Sequence, residues 1–118
     1  MTDFEITEDV VAGDVRVLRV AGDVDFGVAP QLKRCITDRI EAGDRQVVVD
    51  LSAAGFVDST AIGVLVGALR RLGDRGGSLV VVCDNENVQN IFETVGLHNV
   101  IPLHSSREDA LAGLSQTA

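Results

Sequence analysis

Two short runs decide the fold: Val47-Val48-Val49-Asp50-Leu51 and Leu79-Val80-Val81-Val82-Cys83. Continuous apolar runs of this length are typical of strands buried inside a parallel sheet. Between them, apolar side chains recur at the spacing of an amphipathic helix that Gly73 ends: Ile62, Leu65, Leu69 and Leu72. A strand, a helix and a second strand in this order predict a right-handed crossover between parallel strands.

Toward the amino terminus, the pattern predicts a hairpin and a helix. Residues 4–11 begin with alternating apolar positions and lead to the turn pair Gly13-Asp14, and residues 15–20 form a second strand pattern. Together they predict an antiparallel hairpin. Pro30 then stands where a first helical turn tolerates proline. The predicted helix has one apolar face and ends at Gly43, and the face consists of Leu32, Cys35, Ile36 and Ile40.

Toward the carboxyl terminus, the pattern predicts a helix, a strand and a last helix. Residues 88–95 carry apolar side chains at i, i+3, i+4 and i+7, and Gly96 is suited to cap the end of this helix. Residues 100–103 include a proline, which favours an edge strand. Ser105 and Glu108 have the spacing of a capping box that begins the final helix. The predicted order is ββαβαβαβα.

This order predicts an α/β fold with a mostly parallel sheet and a leading antiparallel strand. The length of 118 residues suits a single domain, which we expect to cover residues 1–118. The formal net charge of −8 disfavours nucleic acid and anionic membranes as partners and favours a basic protein surface. The acidic amino terminus and the two cysteines, too few for a disulfide framework, predict a reduced, cytoplasmic protein.

The usual signatures of catalysis are missing. The only lysine, Lys33, does not follow a phosphate-binding glycine loop, and Ser59 lacks the glycine-flanked elbow of a hydrolase nucleophile. His98 and His104 lie near the final strand and are expected to be solvated. Asp50 stands where a receiver domain has its phosphoacceptor, but that chemistry needs an acidic pair after the first strand and a lysine after the last one, where this chain has His104-Ser105-Ser106. We therefore expect no enzyme activity, no cofactor and no metal.

The segment Asp58-Ser59-Thr60 begins the central helix and allows two interpretations. Asp, Ser and Thr are all good N-cap residues, so the segment can be purely structural. Alternatively, it presents a hydroxyl group at the positive end of a helix dipole, where a phosphate group is well tolerated. Such a phosphate adds about −1.5 to −2 charges and can switch a partner.

Three ordered motifs resemble the STAS domain, and more narrowly the bacterial anti-sigma factor antagonists. They are residues 48–65, ending in Phe56-Val57-Asp58-Ser59-Thr60-Ala61-Ile62-Gly63-Val64-Leu65; residues 22–32, with Gly22-Asp23-Val24-Asp25; and Ile91-Phe92 with Gly96-Leu97. The resemblance covers nearly the whole chain. It departs at Ala61, where the family often has glycine, and at Val28, where it often has threonine.

The resemblance implies a phosphorylation switch. The unphosphorylated protein binds an anti-sigma factor that is also a serine kinase, and this frees a sigma factor. The kinase then phosphorylates the serine that matches Ser59, and a phosphatase restores binding. The partner-binding residues implied in this way are Asp25, Asp58, Ser59, Thr60, Gly63 and Val64. ATP belongs to the kinase. The alternative is a STAS module that serves another assembly without sigma-factor control, such as a nucleotide- or lipid-related sensor or scaffold.

Two further features stay open from the sequence. Gly63 and Gly67 lie one turn apart inside a helix, where each costs roughly 1 kcal/mol, so they need a reason. Close packing of the helix on the sheet is the favoured explanation. The alternative is a low surface that lets the partner approach Ser59. Cys35 and Cys83 are expected to be buried and inert, and redox gating through them is the alternative.

Overall fold

The computed structural model describes residues 4–11 and 14–116, and the side chains of residues 115 and 116 are not described. The elements follow the predicted order, with a short 3₁₀ helix added: β1 Glu5–Val11, β2 Val15–Val24, α1 Ala29–Glu41, β3 Gln46–Val57, α2 Ser59–Asp74, β4 Ser78–Val82, α3 Glu86–Thr94, the 3₁₀ helix Leu97–Asn99, β5 Leu103–His104 and α4 Arg107–Gln116. No helix of this described part is long and apolar enough to cross a bilayer.

The five strands form one sheet in the order β1-β2-β3-β4-β5. The first pair is antiparallel and the other three pairs are parallel, which confirms the predicted α/β fold. The hairpin pairs Val11 with Val15. The predicted turn pair is Gly13-Asp14. Asp14 has a left-handed φ of 59°, and Gly13 lies outside the described residues.

Helices cover both faces of the sheet. The main core lies on the face of α1, α2 and α3, and Phe92 is its largest buried side chain. A smaller cluster lies under α4 on the other face and contains Val17, Val48, Val82 and Leu114. Because β3 and β4 are buried on both faces, their sequences are continuously apolar rather than alternating.

Several predicted boundaries are wrong. β3 runs six residues beyond Leu51, and β5 is Leu103–His104 rather than residues 100–103. The last helix is not capped by Ser105, because the hydroxyl group of Ser106 accepts the Asp109 N–H at 3.1 Å. These errors concern strand ends and caps, which depend on neighbouring strands as well as on local sequence.

The buried face of α2 is also shifted from the predicted one. Its buried residues are Ala61, Leu65, Ala68 and Leu72, whereas Ile62 and Leu69 are only half-buried. The two alanines are part of the main core. This arrangement leaves the glycines of α2 on a different face.

Candidate functional site

The candidate site lies where β2 and β3 end and α1 and α2 begin. Val24 and Val57 are paired at the ends of these strands, and the Asp58 N–H donates to the Val24 carbonyl at 3.1 Å. Two register shifts between β2 and β3 precede this point, so β3 uses two more residues than β2 to reach it. Such bulges turn a strand and re-aim its side chains.

Asp58 is the N-cap of α2. Its Oδ1 accepts the Ala61 N–H at 3.0 Å, and its extended backbone (φ −96°, ψ 179°) is suited to a cap residue. Ser59 is therefore the first helical residue rather than the cap. The side chains of Ser59 and Thr60 are exposed, and neither forms a hydrogen bond within the described residues. The structure thus assigns the capping role within the segment to Asp58 and leaves the Ser59 hydroxyl free.

Asp25 lies in the turn that precedes α1. Its carboxylate accepts the Gly27 N–H at 2.9 Å, and its carbonyl accepts the N–H groups of Val28 and Ala29. Val28 is the N-cap of α1 and makes no side-chain cap bond. Asp25 is therefore a turn residue rather than a helix cap. Its half-buried side chain lies at the same edge of the sheet as Asp58.

This edge is acidic and also carries exposed aromatic side chains. Asp23 lies at the end of β2, Asp25 follows β2, and Asp58 follows β3. Phe26 is 76% exposed and Phe56 is 45% exposed, so two of the four aromatic residues of the chain lie beside the carboxylates. Neither phenylalanine was predicted as a contact residue. A phenylalanine among turn-forming residues, as at position 26, was the available signal.

The remaining predicted contacts lie one turn further along α2. Gly63 and Val64, together with Thr60, line a groove between α1 and α2 with a volume of about 460 Å³. We call it the α1–α2 groove, and its full lining is Ala29, Pro30, Lys33, Ile36, Thr37, Thr60, Gly63, Val64, Gly67, Ala68 and Arg71. The predicted residues therefore form two neighbouring surfaces, the acidic edge and the groove, which meet at Thr60.

The favoured explanation of the helix glycines is wrong. A Cβ atom placed on Gly63 or Gly67 would have no neighbour within 4 Å. Neither residue lies between the helix and the sheet, and Gly63 is exposed. The buried face of α2 carries alanines and leucines, and the two glycines instead line the groove.

Asp50 is engaged in the structure and is not a free phosphoacceptor. Burial raises the pKa of this carboxyl group, but the Arg107 guanidinium, which donates to Oδ2 at 2.7 Å, and the Ser52 N–H at 3.0 Å outweigh burial and leave the pKa below its ordinary value. Arg107 also lies 3.7 Å from Asp9. The first residue of α4 is thereby tied to β3 and β1.

The two cysteines are free thiols, but only Cys83 is buried. Its Sγ accepts the Asn85 N–H at 3.3 Å, and the Asn85 side chain donates to the Ala54 carbonyl at 3.0 Å, which ties α3 to the bulged part of β3. Cys35 is half-buried on α1, so its predicted burial is wrong. Burial raises the pKa of both thiols. Over residues 4–11 and 14–116, no cluster of acidic, His or Cys side chains could hold a metal ion.

The family profile of the STAS domain matches residues 6–110, and the chain belongs to this family. It is 26% identical over 91 residues to the anti-sigma-B factor antagonist of Staphylococcus aureus, covering 77% of this chain and 84% of the relative. The Staphylococcus epidermidis protein of the same name is 25% identical over 101 residues, which cover 86% of this chain and 94% of that protein.

The crystal structure of an anti-sigma factor antagonist from Mycobacterium paratuberculosis superposes with a TM-score of 0.88. The two chains are 26% identical, and the superposition covers 97% of this chain and 96% of that one. The fold and the element order are therefore those of the family that the sequence motifs resemble.

Proposed function

We propose that this protein is an anti-sigma factor antagonist that is switched by phosphorylation of Ser59. The observation that carries the proposal is the division of roles in the first turn of α2. Asp58 supplies the cap, so the exposed Ser59 hydroxyl is not needed for folding and is available to a kinase. The likeness to proteins named anti-sigma-B factor antagonists supports the choice of partner.

In its unphosphorylated form, the protein binds an anti-sigma factor through the acidic edge and the first turns of α2. Asp25, Asp58, Ser59, Thr60, Gly63 and Val64 form the contact surface. The carboxylates face basic groups of the partner, and complementary charge speeds and orients such encounters. Phe26 and Phe56 extend the surface, since exposed aromatic side chains are frequent anchors in protein interfaces.

The partner in this scheme is itself a serine kinase. It binds ATP, transfers the γ-phosphoryl group to the Ser59 hydroxyl and releases ADP. The phosphorylated protein then dissociates, and a phosphatase that hydrolyses the phosphoserine restores binding. The antagonist contributes a hydroxyl group and a surface, with no catalytic group or cofactor of its own. The cycle takes place in the cytoplasm.

The decisive experiment incubates the protein with purified candidate anti-sigma kinases and ATP. Mass spectrometry should find one phosphate per chain, on Ser59, and gel filtration should show that the complex dissociates. Ser59→Ala should bind the kinase but remain bound in ATP. Ser105→Ala changes an exposed serine outside the contact surface; it is the control and should be phosphorylated and released like the wild type. Stoichiometric phosphate on Ser59→Ala would contradict the site.

The same experiment separates the proposal from the alternative of a STAS module in another assembly. Such a module would neither bind an anti-sigma kinase nor become phosphorylated by it. Co-purification of the tagged full chain from its own cells provides the second measurement. Recovery of a sigma-factor regulator supports the proposal, whereas recovery only of a sensor or transporter complex would overturn it.

A further inference from the structure

The α1–α2 groove has features that the fold does not require. Its two glycines sit inside a helix, where each costs about 1 kcal/mol relative to alanine. Neither glycine is among the positive-φ glycines, and apart from the backbone of α2 itself, a Cβ on either would meet no atom within 4 Å. Folding would therefore be favoured by alanine at both positions. Residues that destabilise a helix without serving its packing indicate a functional surface.

The charge of the groove is opposite to that of the protein. The helices α1 and α2 together contain five basic and three acidic residues, although the chain as a whole has a net charge of −8. None of the eleven residues that line the groove is acidic, although the chain contains 18 acidic residues. Within the described residues, neither Lys33 nor Arg71 forms an ion pair. The groove is thus a positive region on an acidic molecule.

The two cations of the groove come from its two walls, Lys33 from α1 and Arg71 from α2. Arg71 Nη1 donates to the Thr37 hydroxyl at 2.8 Å across the two helices. Lys33 precedes Thr37 by one helical turn, and residues at i and i+4 are neighbours on a helix surface. The Arg71 guanidinium therefore contacts the Thr37 hydroxyl, and Lys33 lines the groove one turn earlier on α1. Each of these three groups can donate a hydrogen bond to an anion.

The rest of the groove is apolar. From the Thr37 region it extends past Ile36, Val64 and Ala68 to Ala29 and Pro30. At this end it reaches Thr60, which is adjacent to Ser59. A volume of about 460 Å³ with mostly apolar walls and a few convergent polar groups is typical of small-molecule sites.

We propose that the α1–α2 groove binds a small amphipathic anion, an apolar chain with a single carboxylate or phosphate head group. The head group lies between Lys33, Thr37 and Arg71, and the chain lies over Gly63 and Gly67 toward Thr60. This binding does not depend on the proposed phosphorylation switch, because it uses the isolated protein and needs no partner.

The test titrates the full chain with octanoate and records ¹H–¹⁵N NMR spectra. Saturable shifts are expected at Lys33, Thr37, Gly63, Gly67 and Arg71. Octyl phosphate should bind at the same residues, and comparing its affinity with that of octanoate shows which head group is preferred. Octylammonium has the same chain and the opposite charge, and the overall charge of the protein would favour it. Equal or tighter binding of octylammonium, or octanoate shifts that lie outside the groove, would overturn the proposal.

Two pairs of variants localise the site. Arg71→Gln should weaken octanoate binding at least about fivefold, whereas Arg70→Gln, its exposed neighbour outside the groove, should change it less than about twofold. Gly67→Leu should fill the groove and abolish octanoate binding while its melting temperature does not fall. Gly73→Ala, near the end of the helix and outside the groove, is its control and should leave octanoate binding unchanged. Undiminished octanoate binding by Gly67→Leu or by Arg71→Gln would refute the site. If Gly67→Leu does not fold, the arginine pair alone decides.

Discussion

Phosphorylation of Ser59 should weaken partner binding without disturbing the fold. Ser59 is the first residue of α2, where free N–H groups and the helix dipole stabilise a negative charge by about 0.3–1 kcal/mol. The adjacent Asp58 carboxylate repels the phosphate, and exposed charges of this kind interact by about 0.2–1 kcal/mol. The two effects nearly cancel, so the free energy of unfolding should change by less than about 1 kcal/mol.

The effect on binding should be larger, because the contacts of the proposed interface would exclude water. A charged group that is buried against a surface arranged for a neutral hydroxyl costs at least about 1–3 kcal/mol. We therefore expect the affinity for the anti-sigma factor to fall at least about tenfold, which corresponds to about 1.4 kcal/mol. Ser59→Asp should reproduce part of the loss, since it carries less charge than a phosphate.

The assay pairs thermal melting with titration calorimetry on the free and phosphorylated proteins. For a domain of this size, 1 kcal/mol corresponds to about 4–8 °C, so the melting temperature should shift by less than that. Two variants calibrate the result. Asp58→Ala removes the observed cap and should cost about 0.5–2 kcal/mol, and Ser105→Asp adds a charge at an exposed serine away from the site. A large loss of melting temperature, or an unchanged affinity, would refute the reasoning.

Three further results are expected from the ion pair of α4 and from the cysteines. Arg107→Met should lower the free energy of unfolding in urea by about 1–3 kcal/mol, because it leaves the buried Asp50 carboxylate without its 2.7 Å partner; a change near zero would contradict this. Because the pKa of Asp50 is lower when folded, its ionised form stabilises the fold above its unfolded pKa of about 3.9, and this contribution is lost as the pH falls through the folded pKa. The melting temperatures of wild type and Asp50→Asn should accordingly converge in acid, and a constant difference would argue against the ion pair. In native thiol titration, Cys35 should react slowly and Cys83 only after unfolding, so equal rates would contradict the burial of Cys83.

Local patterns predicted the elements well and their ends poorly. The continuous apolar runs at residues 47–51 and 79–83 indicated buried parallel strands, because a strand covered on both faces needs apolar side chains on both. The sequence did not indicate that β3 continues to Val57. Its last residues pair with β2 through two register shifts, and this pairing is a long-range contact that no local period records.

The candidate site was also predicted only in part: the sequence located the segment but not the role of each residue in it. The acidic and hydroxyl residues at 58–60 marked a helix start, but they are chemically equivalent as caps until the backbone is known. The structure assigns the cap to Asp58 because that residue has the extended backbone and the 3.0 Å bond to Ala61. The exposure of Phe26 and Phe56 likewise depends on where the chain turns, so composition alone did not reveal it.

The sequence by itself determined the α/β order, the mostly parallel sheet and the position of Ser59 at the start of the central helix. These follow from hydrophobic periodicity and from turn residues, which act over a few neighbours. Only the tertiary structure decided that Asp50 pairs with Arg107, 57 residues away, and that Gly63 and Gly67 line a groove rather than a packed interface. The physical reason is that pairing and packing depend on which helix lies against which face of the sheet, and many distant residues together set that arrangement.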